Sequence, residues 1–285
     1  MKKLITRSYR IILIILILIS SIFHLPKAFS DLNLLENFPN NNILPHHFRK
    51  STDDISTLVD NNINLTGLDK LNISGSGQFS DSGLSLIKES IPNSFNILDI
   101  DLRQESHGFI NGIAVSFENL KNNANKGLTL PEILATENNL LKSIKIGEPI
   151  TFYNTKETVI PENVQSELEV ANSKEIGYIR IPVTDGGMPT EDMINSFINI
   201  VNNQPENTWL HFHCKEGIGR TTTFMIMYDI MKNYKEVSLD DIIRRQVLLS
   251  QMNEIDAQGF YSGKHNEFLK KFYNEYTSTN KKEAI

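Results

Sequence analysis

A chain of 285 residues, 40% hydrophobic and 22% charged, can bury enough apolar surface for one large domain or a domain carrying an insert. Its formal charge of −6 argues against a nucleic-acid partner, so attraction for an anionic substrate would have to be local to a pocket. The single cysteine, Cys214, cannot form an intramolecular disulfide. No Cys/His cluster has zinc spacing, and His46-His47 and His211/His213 are pairs without a third partner. Neither a metal nor another cofactor is expected.

The N-terminus reads as a secretory signal peptide over residues 1–30. Lys2, Lys3, Arg7 and Arg10 make a basic start, Ile11 to Ile19 an unbroken apolar run, and Ala28-Phe29-Ser30 a small-x-small cleavage site. An uncleaved anchor is the alternative, and either reading places the protein outside the cytoplasm, secreted or at the cell surface. Residues 31–285 then form one domain of formal charge −11. Residues 31–47 look like an extended lead-in, followed by the aromatic-basic cluster Phe48-Arg49-Lys50. Ser74 to Ser80, rich in glycine and serine, looks flexible or tightly turned. A helix is expected from Ser80–Ser82 to just before Pro92.

Ile97 to Arg103 alternates apolar and polar side chains as a strand does. It runs into Gln104-Glu105-Ser106-His107-Gly108, where side chains can gather at a strand end. Between about 112 and 170 the pattern changes to that of a small inserted subdomain. A capping box at Thr129-Leu130-Pro131-Glu132 opens a helix, and short strands are expected at Ile150–Tyr153 and Val164–Val170. Ile176 to Val183 reads as a strand ending in Thr184-Asp185-Gly186-Gly187-Met188-Pro189, and Thr190 caps the helix that follows. Trp209 to Phe212 is a further strand, Thr222 to Lys232 a helix, and Ser238 caps a helix through Leu249. A last helix is expected over Lys264 to Tyr276. The rhythm is that of an α/β fold with a mostly parallel sheet flanked by helices, whose active sites lie at the carboxyl ends of strands.

Asp185 and Cys214 both fall at such ends. His213-Cys214-Lys215-Glu216-Gly217-Ile218-Gly219-Arg220-Thr221 joins a strand to a helix through a glycine-containing loop, which makes an anion cradle of backbone N–H groups and a helix N-terminus. A thiol at its base should ionise easily, and Arg220 can grip a phosphate with both arms. The pattern points to phosphoryl transfer onto Cys214, with Lys215, Glu216, Gly217, Ile218 and Gly219 forming the phosphate loop. Asp185 is the candidate general acid for the leaving alkoxide. Thr221 can hydrogen-bond the sulfur, His213 is expected to brace the cradle by backbone hydrogen bonds, and Lys215 either adds charge at the rim or is solvated.

His-Cys-x5-Arg-Thr resembles the signature of the cysteine phosphatases of the protein-tyrosine-phosphatase superfamily. Asp101-Leu102-Arg103-Gln104-Glu105-Ser106-His107-Gly108-Phe109-Ile110-Asn111-Gly112 and Ala124-Asn125-Lys126-Gly127, followed by Thr184-Asp185 and the Cys214 loop, are similar to the bacterial protein-tyrosine-phosphatase-like phytases. That resemblance implies a tyrosine-phosphatase core with a small partial β-barrel insert and stepwise removal of phosphate from myo-inositol hexakisphosphate. It implies Cys214 as nucleophile, Asp185 as acid, Arg220 as phosphate clamp, Arg49 and Lys264 as substrate contacts, and Asp101 and Arg103 as supports. Family members commonly carry a His after the acid and a bulky aromatic before the proline, where this chain has Gly186 and Met188. A more flexible acid loop is expected. The alternative function is a secreted protein-tyrosine or dual-specificity phosphatase acting on phosphoproteins.

Overall fold

A computed structural model describes residues 32–58 and 63–282. The expected signal peptide lies outside the described residues. The elements in chain order are β1 (Asn33–Phe38), β2 (Arg49–Lys50), β3 (Ile73–Ser76), α1 (Asp81–Ser90), β4 (Asn96–Arg103), β5 (His107–Ile110) and β6 (Ile113–Glu118). Next come α2 (Leu130–Ser143), β7 (Ile150–Thr151), β8 (Thr158–Val159), β9 (Val164–Gln165), α3 (Glu167–Ser173) and β10 (Gly177–Val183). The chain closes with α4 (Glu191–Asn203), β11 (Thr208–His213), α5 (Gly219–Asn233), α6 (Leu239–Ser250), α7 (Glu254–Tyr261) and α8 (Lys264–Lys282).

The central sheet has the order β10-β4-β11-β3-β2, parallel except for the short edge strand β2. On one face Ile100, Leu102, Leu210 and Phe212 pack against Phe224, Met225, Ile226 and Met227 of α5. α5 is buried from Arg220 to Met231, so its sequence shows no polar stripe. On the other face Ile97 and Trp209 pack with Leu84 and Ile87 of α1 and Val170 and Ala171 of α3. The alternation in β4 therefore does not divide core from solvent. Asp99, Asp101 and Arg103, and His211 and His213 of β11, are all buried under α1 and α3, in a layer of ion pairs.

A second, antiparallel sheet has the order β1-β6-β5-β9, and β7-β8 is a separate hairpin. The four-stranded sheet is open and forms no closed barrel among the described residues. It draws on 33–38 as well as 107–118 and 164–165, so the expected lead-in is partly a strand: Leu34 and Phe117 are register partners. Val164 to Val170 is not a strand throughout. Ser166 accepts from Glu169 N and Glu169 reaches back to Ser166, a capping box that turns the chain into α3. Ser74 to Ser80 is not flexible either, since β3 is fully buried between β2 and β11. A Cβ on its Gly75 would lie 2.5 Å from Met225 Sδ and 2.8 Å from Thr221 Cγ2, so any larger residue there would displace side chains of α5. α7 was not expected; Asn253 caps it by accepting from Asp256 N.

Candidate active site

Three strands of the central sheet end side by side: β11 delivers Cys214, β10 delivers Thr184 and Asp185, and β4 delivers Gln104 and Glu105. The loop from Cys214 to α5 is pinned from beneath. Gln78 N donates to Lys215 O at 2.9 Å. Gly217 has φ +79°, and a Cβ there would sit 2.3 Å from Gly77 N, so glycine is demanded by both conformation and space.

The sulfur of Cys214 accepts from Gly217 N and from Thr221 Oγ1, both at 3.2 Å, just ahead of the N-terminus of α5. Burial would push this thiol up, but the Arg220 guanidinium and these two donors outweigh it and hold the pKa below its ordinary value. Arg220 is gripped by both oxygens of Glu105, Nη1–Oε2 at 2.8 Å and Nη2–Oε1 at 3.0 Å, and donates to Val183 O at 3.0 Å. Burial opposes its charge, and the Glu105 carboxylate more than restores it. Asp185 lies 3.1 Å from Arg220 Nη2 and accepts from Asn122 Nδ2 at 3.0 Å, with its side chain 44% exposed. Cys214, Arg220 and Asp185 line one cavity of about 220 Å³, with Asp256, Phe260 and His265 on its far wall. A thiol, a guanidinium and a carboxyl group thus converge on a single volume.

A second tier of buried charges supports this site. Arg103 donates to Glu105 Oε1 at 2.9 Å and to Gln78 Oε1 at 2.5 Å, and Gln78 Nε2 donates to Glu167 Oε2 at 2.8 Å. Asp101 accepts from Arg103 N and Tyr178 Oη, and pairs with Arg180 at 3.0 Å. The His213 backbone is paired with both β3 and β4, as expected of a brace, and its side chain adds an ion pair, Nε2 lying 2.6 Å from Glu167 Oε1. The expectation that the His211/His213 pair has no third partner is corrected, since Asp99 and Glu167 surround His213, as Asp101 and Glu167 surround His107. Burial pushes both imidazoles down, but carboxylates carry them up to about 9 for His107 and about 10 for His213. Both rings are thus charged partners of these carboxylates, and ligating a metal would require each to give up a proton.

The expected substrate contacts are placed differently. Arg49 is 2% exposed and lies beneath the loop, donating to Gly217 O at 2.7 Å, His47 O at 2.9 Å and Thr222 Oγ1 at 2.8 Å. Its donors face the underside of the cradle, away from the cavity. Lys215 is neither free at the rim nor solvated, because Glu118 holds its Nζ at 2.8 and 2.9 Å. Lys264 Nζ donates to Gly186 O at 2.6 Å, tying α8 to the acid loop. That loop also contains a turn, Gly187 N to Thr184 O at 2.8 Å, so the expected freedom is constrained at two points. Glu105 belongs to the run at the end of β4 where side chains gather, but nothing in the sequence marks Gln78, Glu118, Asn122, Glu167 or His265 as members of the site.

The family model of the PTP-like phytases, described by the words inositol hexakisphosphate, matches residues 100–232. A PTP-like phytase structure from Bdellovibrio bacteriovorus is 30% identical with a TM-score of 0.71, and the match covers 89% of this chain and 92% of that one. The chain belongs to the PTP-like phytase family. The PTP-like myo-inositol phosphatase of Mitsuokella multacida, solved in complex with myo-inositol-(1,3,4,5)-tetrakisphosphate, is 30% identical with a TM-score of 0.78 over 88% of this chain. Effector protein hopD2 of Pseudomonas syringae pv. tomato is 30% identical over 182 residues, 60% of this chain. This phytase-family chain spans 46% of the Mitsuokella protein and 39% of hopD2.

Proposed function

We propose that this chain is an exported inositol polyphosphate phosphatase that works through a phospho-cysteine. The observation that carries the reading is the Cys214 sulfur, which accepts from Gly217 N and Thr221 Oγ1 in one cavity with Arg220 and Asp185. In the first step the thiolate attacks phosphorus, the ester P–O bond breaks, and Asp185 gives its proton to the departing alkoxide. Arg220 holds the phosphoryl oxygens; an incoming phosphate displaces Asp185 from Nη2, freeing the acid to face the leaving oxygen. In the second step water attacks phosphorus, Asp185 takes its proton, and the S–P bond breaks. Thr221 then stabilises the returning thiolate. The balance is ester plus water to alcohol plus inorganic phosphate, and no step passes through a metal.

Inositol phosphates as substrates are supported by family membership and by the ligand of the Mitsuokella relative. Export is supported by the N-terminal sequence pattern. Phosphate release from inositol hexakisphosphate, with Cys214→Ser as blank, tests the activity, and a phosphotyrosine peptide at matched enzyme concentration tests the alternative substrate. Release should be from the inositol phosphate and insensitive to chelator. Preference for the peptide contradicts the substrate, and loss with chelator contradicts the mechanism.

A further inference from the structure

The mechanism above leaves His265 unused, although it lines the same cavity as Cys214, Arg220 and Asp185. The ring stacks on Phe260 at 4.3 Å between centroids and lies over the phosphate loop: a Cβ on Gly219 would be 3.9 Å from its Nε2. Its Nδ1 is 3.0 Å from Thr223 Oγ1, and that hydroxyl donates its one proton to Gly219 O at 2.8 Å. With its proton on Gly219 O the hydroxyl accepts from the ring, an arrangement that puts the hydrogen on Nδ1 and leaves Nε2 of the neutral imidazole its lone pair. Burial, helped by Lys264, pushes His265 down to about 4, so the ring is neutral at ordinary pH. Nε2 makes no hydrogen bond among the described residues.

The surroundings are also acceptors. Glu216 and Asp256 line the cavity with the acid, Asp185, and Arg220 is the lining arginine, with no lysine among the lining residues. The nearby cations do not line it: Glu118 holds Lys215, Arg49 lies beneath the loop, and Lys264 donates to Gly186 O at its edge. A second ionised phosphate beside the one being removed would meet a lone pair and carboxylates. A hydroxyl would bring the missing donor.

We infer that Nε2 of His265 accepts a hydrogen bond from a substrate hydroxyl adjacent to the scissile phosphate. His265 is thereby a specificity-determining residue that favours partially phosphorylated inositols over the hexakisphosphate. The inference rests on the inositol phosphate reading above. A tetrakisphosphate such as the one bound by the Mitsuokella relative belongs to the favoured class.

The test compares kcat/KM on myo-inositol-(1,3,4,5)-tetrakisphosphate, inositol hexakisphosphate and p-nitrophenyl phosphate; the last two have no hydroxyl to offer. Wild type should prefer the tetrakisphosphate to the hexakisphosphate. His265→Phe should lose roughly tenfold on the tetrakisphosphate alone, the size of one hydrogen bond, and His265→Gln should restore part of it. Equal losses on all three substrates, or no loss on any, overturn the inference. Should the variants fail to fold, imidazole ¹⁵N shifts of the wild-type protein decide. An Nδ1–H ring whose Nε2 signal moves on adding the tetrakisphosphate supports it; an Nε2–H ring overturns it. Hydrolysis of p-nitrophenyl phosphate with no release from either inositol phosphate overturns the inositol phosphate reading itself, and this inference with it.

Discussion

Glu105 is the most heavily committed support of the site, and Glu105→Gln measures what it does. Its carboxylate takes both arms of Arg220 at 2.8 and 3.0 Å and Arg103 Nε at 2.9 Å, with the side chain 2% exposed. The charges of both arginines, added to its hydrogen bonds, overcome burial and hold it far below the usual carboxylate range. The substitution keeps the shape, but turns an N–H₂ toward a guanidinium, leaves buried Arg103 without a carboxylate and leaves Arg220 with Asp185 alone. Removing one partner of a buried ion pair costs about 3–5 kcal/mol. Since 1 kcal/mol moves Tm by about 2–4 °C in a domain of this size, Tm should fall by roughly 6–20 °C. Arg220 also loses the fork that aims it, so kcat/KM on p-nitrophenyl phosphate should fall by roughly 10²–10³. Thermal unfolding by circular dichroism and a phosphate-release assay read the two effects. A variant within about 2 °C and threefold of wild type would refute the reasoning.

Arg49→Met should lower kcat while leaving KM nearly unchanged and raise the pH at which iodoacetate alkylates Cys214, because Arg49 faces the loop from beneath and its charge favours the thiolate; a rise in KM at constant kcat would restore it as a substrate contact. Gly217→Ala should abolish turnover and cost at least about 1–2 kcal/mol, seen in urea unfolding, since φ +79° and the 2.3 Å approach to Gly77 N both oppose a Cβ. His107 and His213 titrate near 6.5 when unfolded but near 9 and 10 when folded, so their contribution is whole below about pH 6.5 and fades as pH rises through the folded values. Urea midpoints in a Cys214→Ser background, free of thiol titration, should therefore fall from pH 7 to 10; a flat or rising profile contradicts the ion pairs.

The elements that bear the chemistry were the most legible. His213 to Thr221 places glycines, arginine and threonine where a phosphate loop needs them, and Thr184-Asp185 follows a strand that periodicity finds unaided. What the sequence hid was the orientation of charged groups. Arg49 is charged and follows an aromatic residue, which suits a pocket rim equally well; only the pairing of β2 with β3 turns it under the loop. Asp99, Asp101 and His213 alternate with apolar residues as solvent-facing positions do, yet α1 and α3 cover that face and the charges neutralise one another there. The start of α3 reads as strand because Val164 and Val170 outweigh the capping box between them, and α7 leaves little periodic signal because its buried residues are few: Ala257 and Phe260.

The central claim is that phosphate passes through the sulfur of Cys214. Acid-quenching the enzyme during turnover of inositol hexakisphosphate, followed by digestion and mass spectrometry, tests this directly. Phosphate should appear on the peptide containing Cys214, with neither phosphate nor turnover in Cys214→Ser. Retained turnover in that variant, or phosphate on any other residue, would contradict the account.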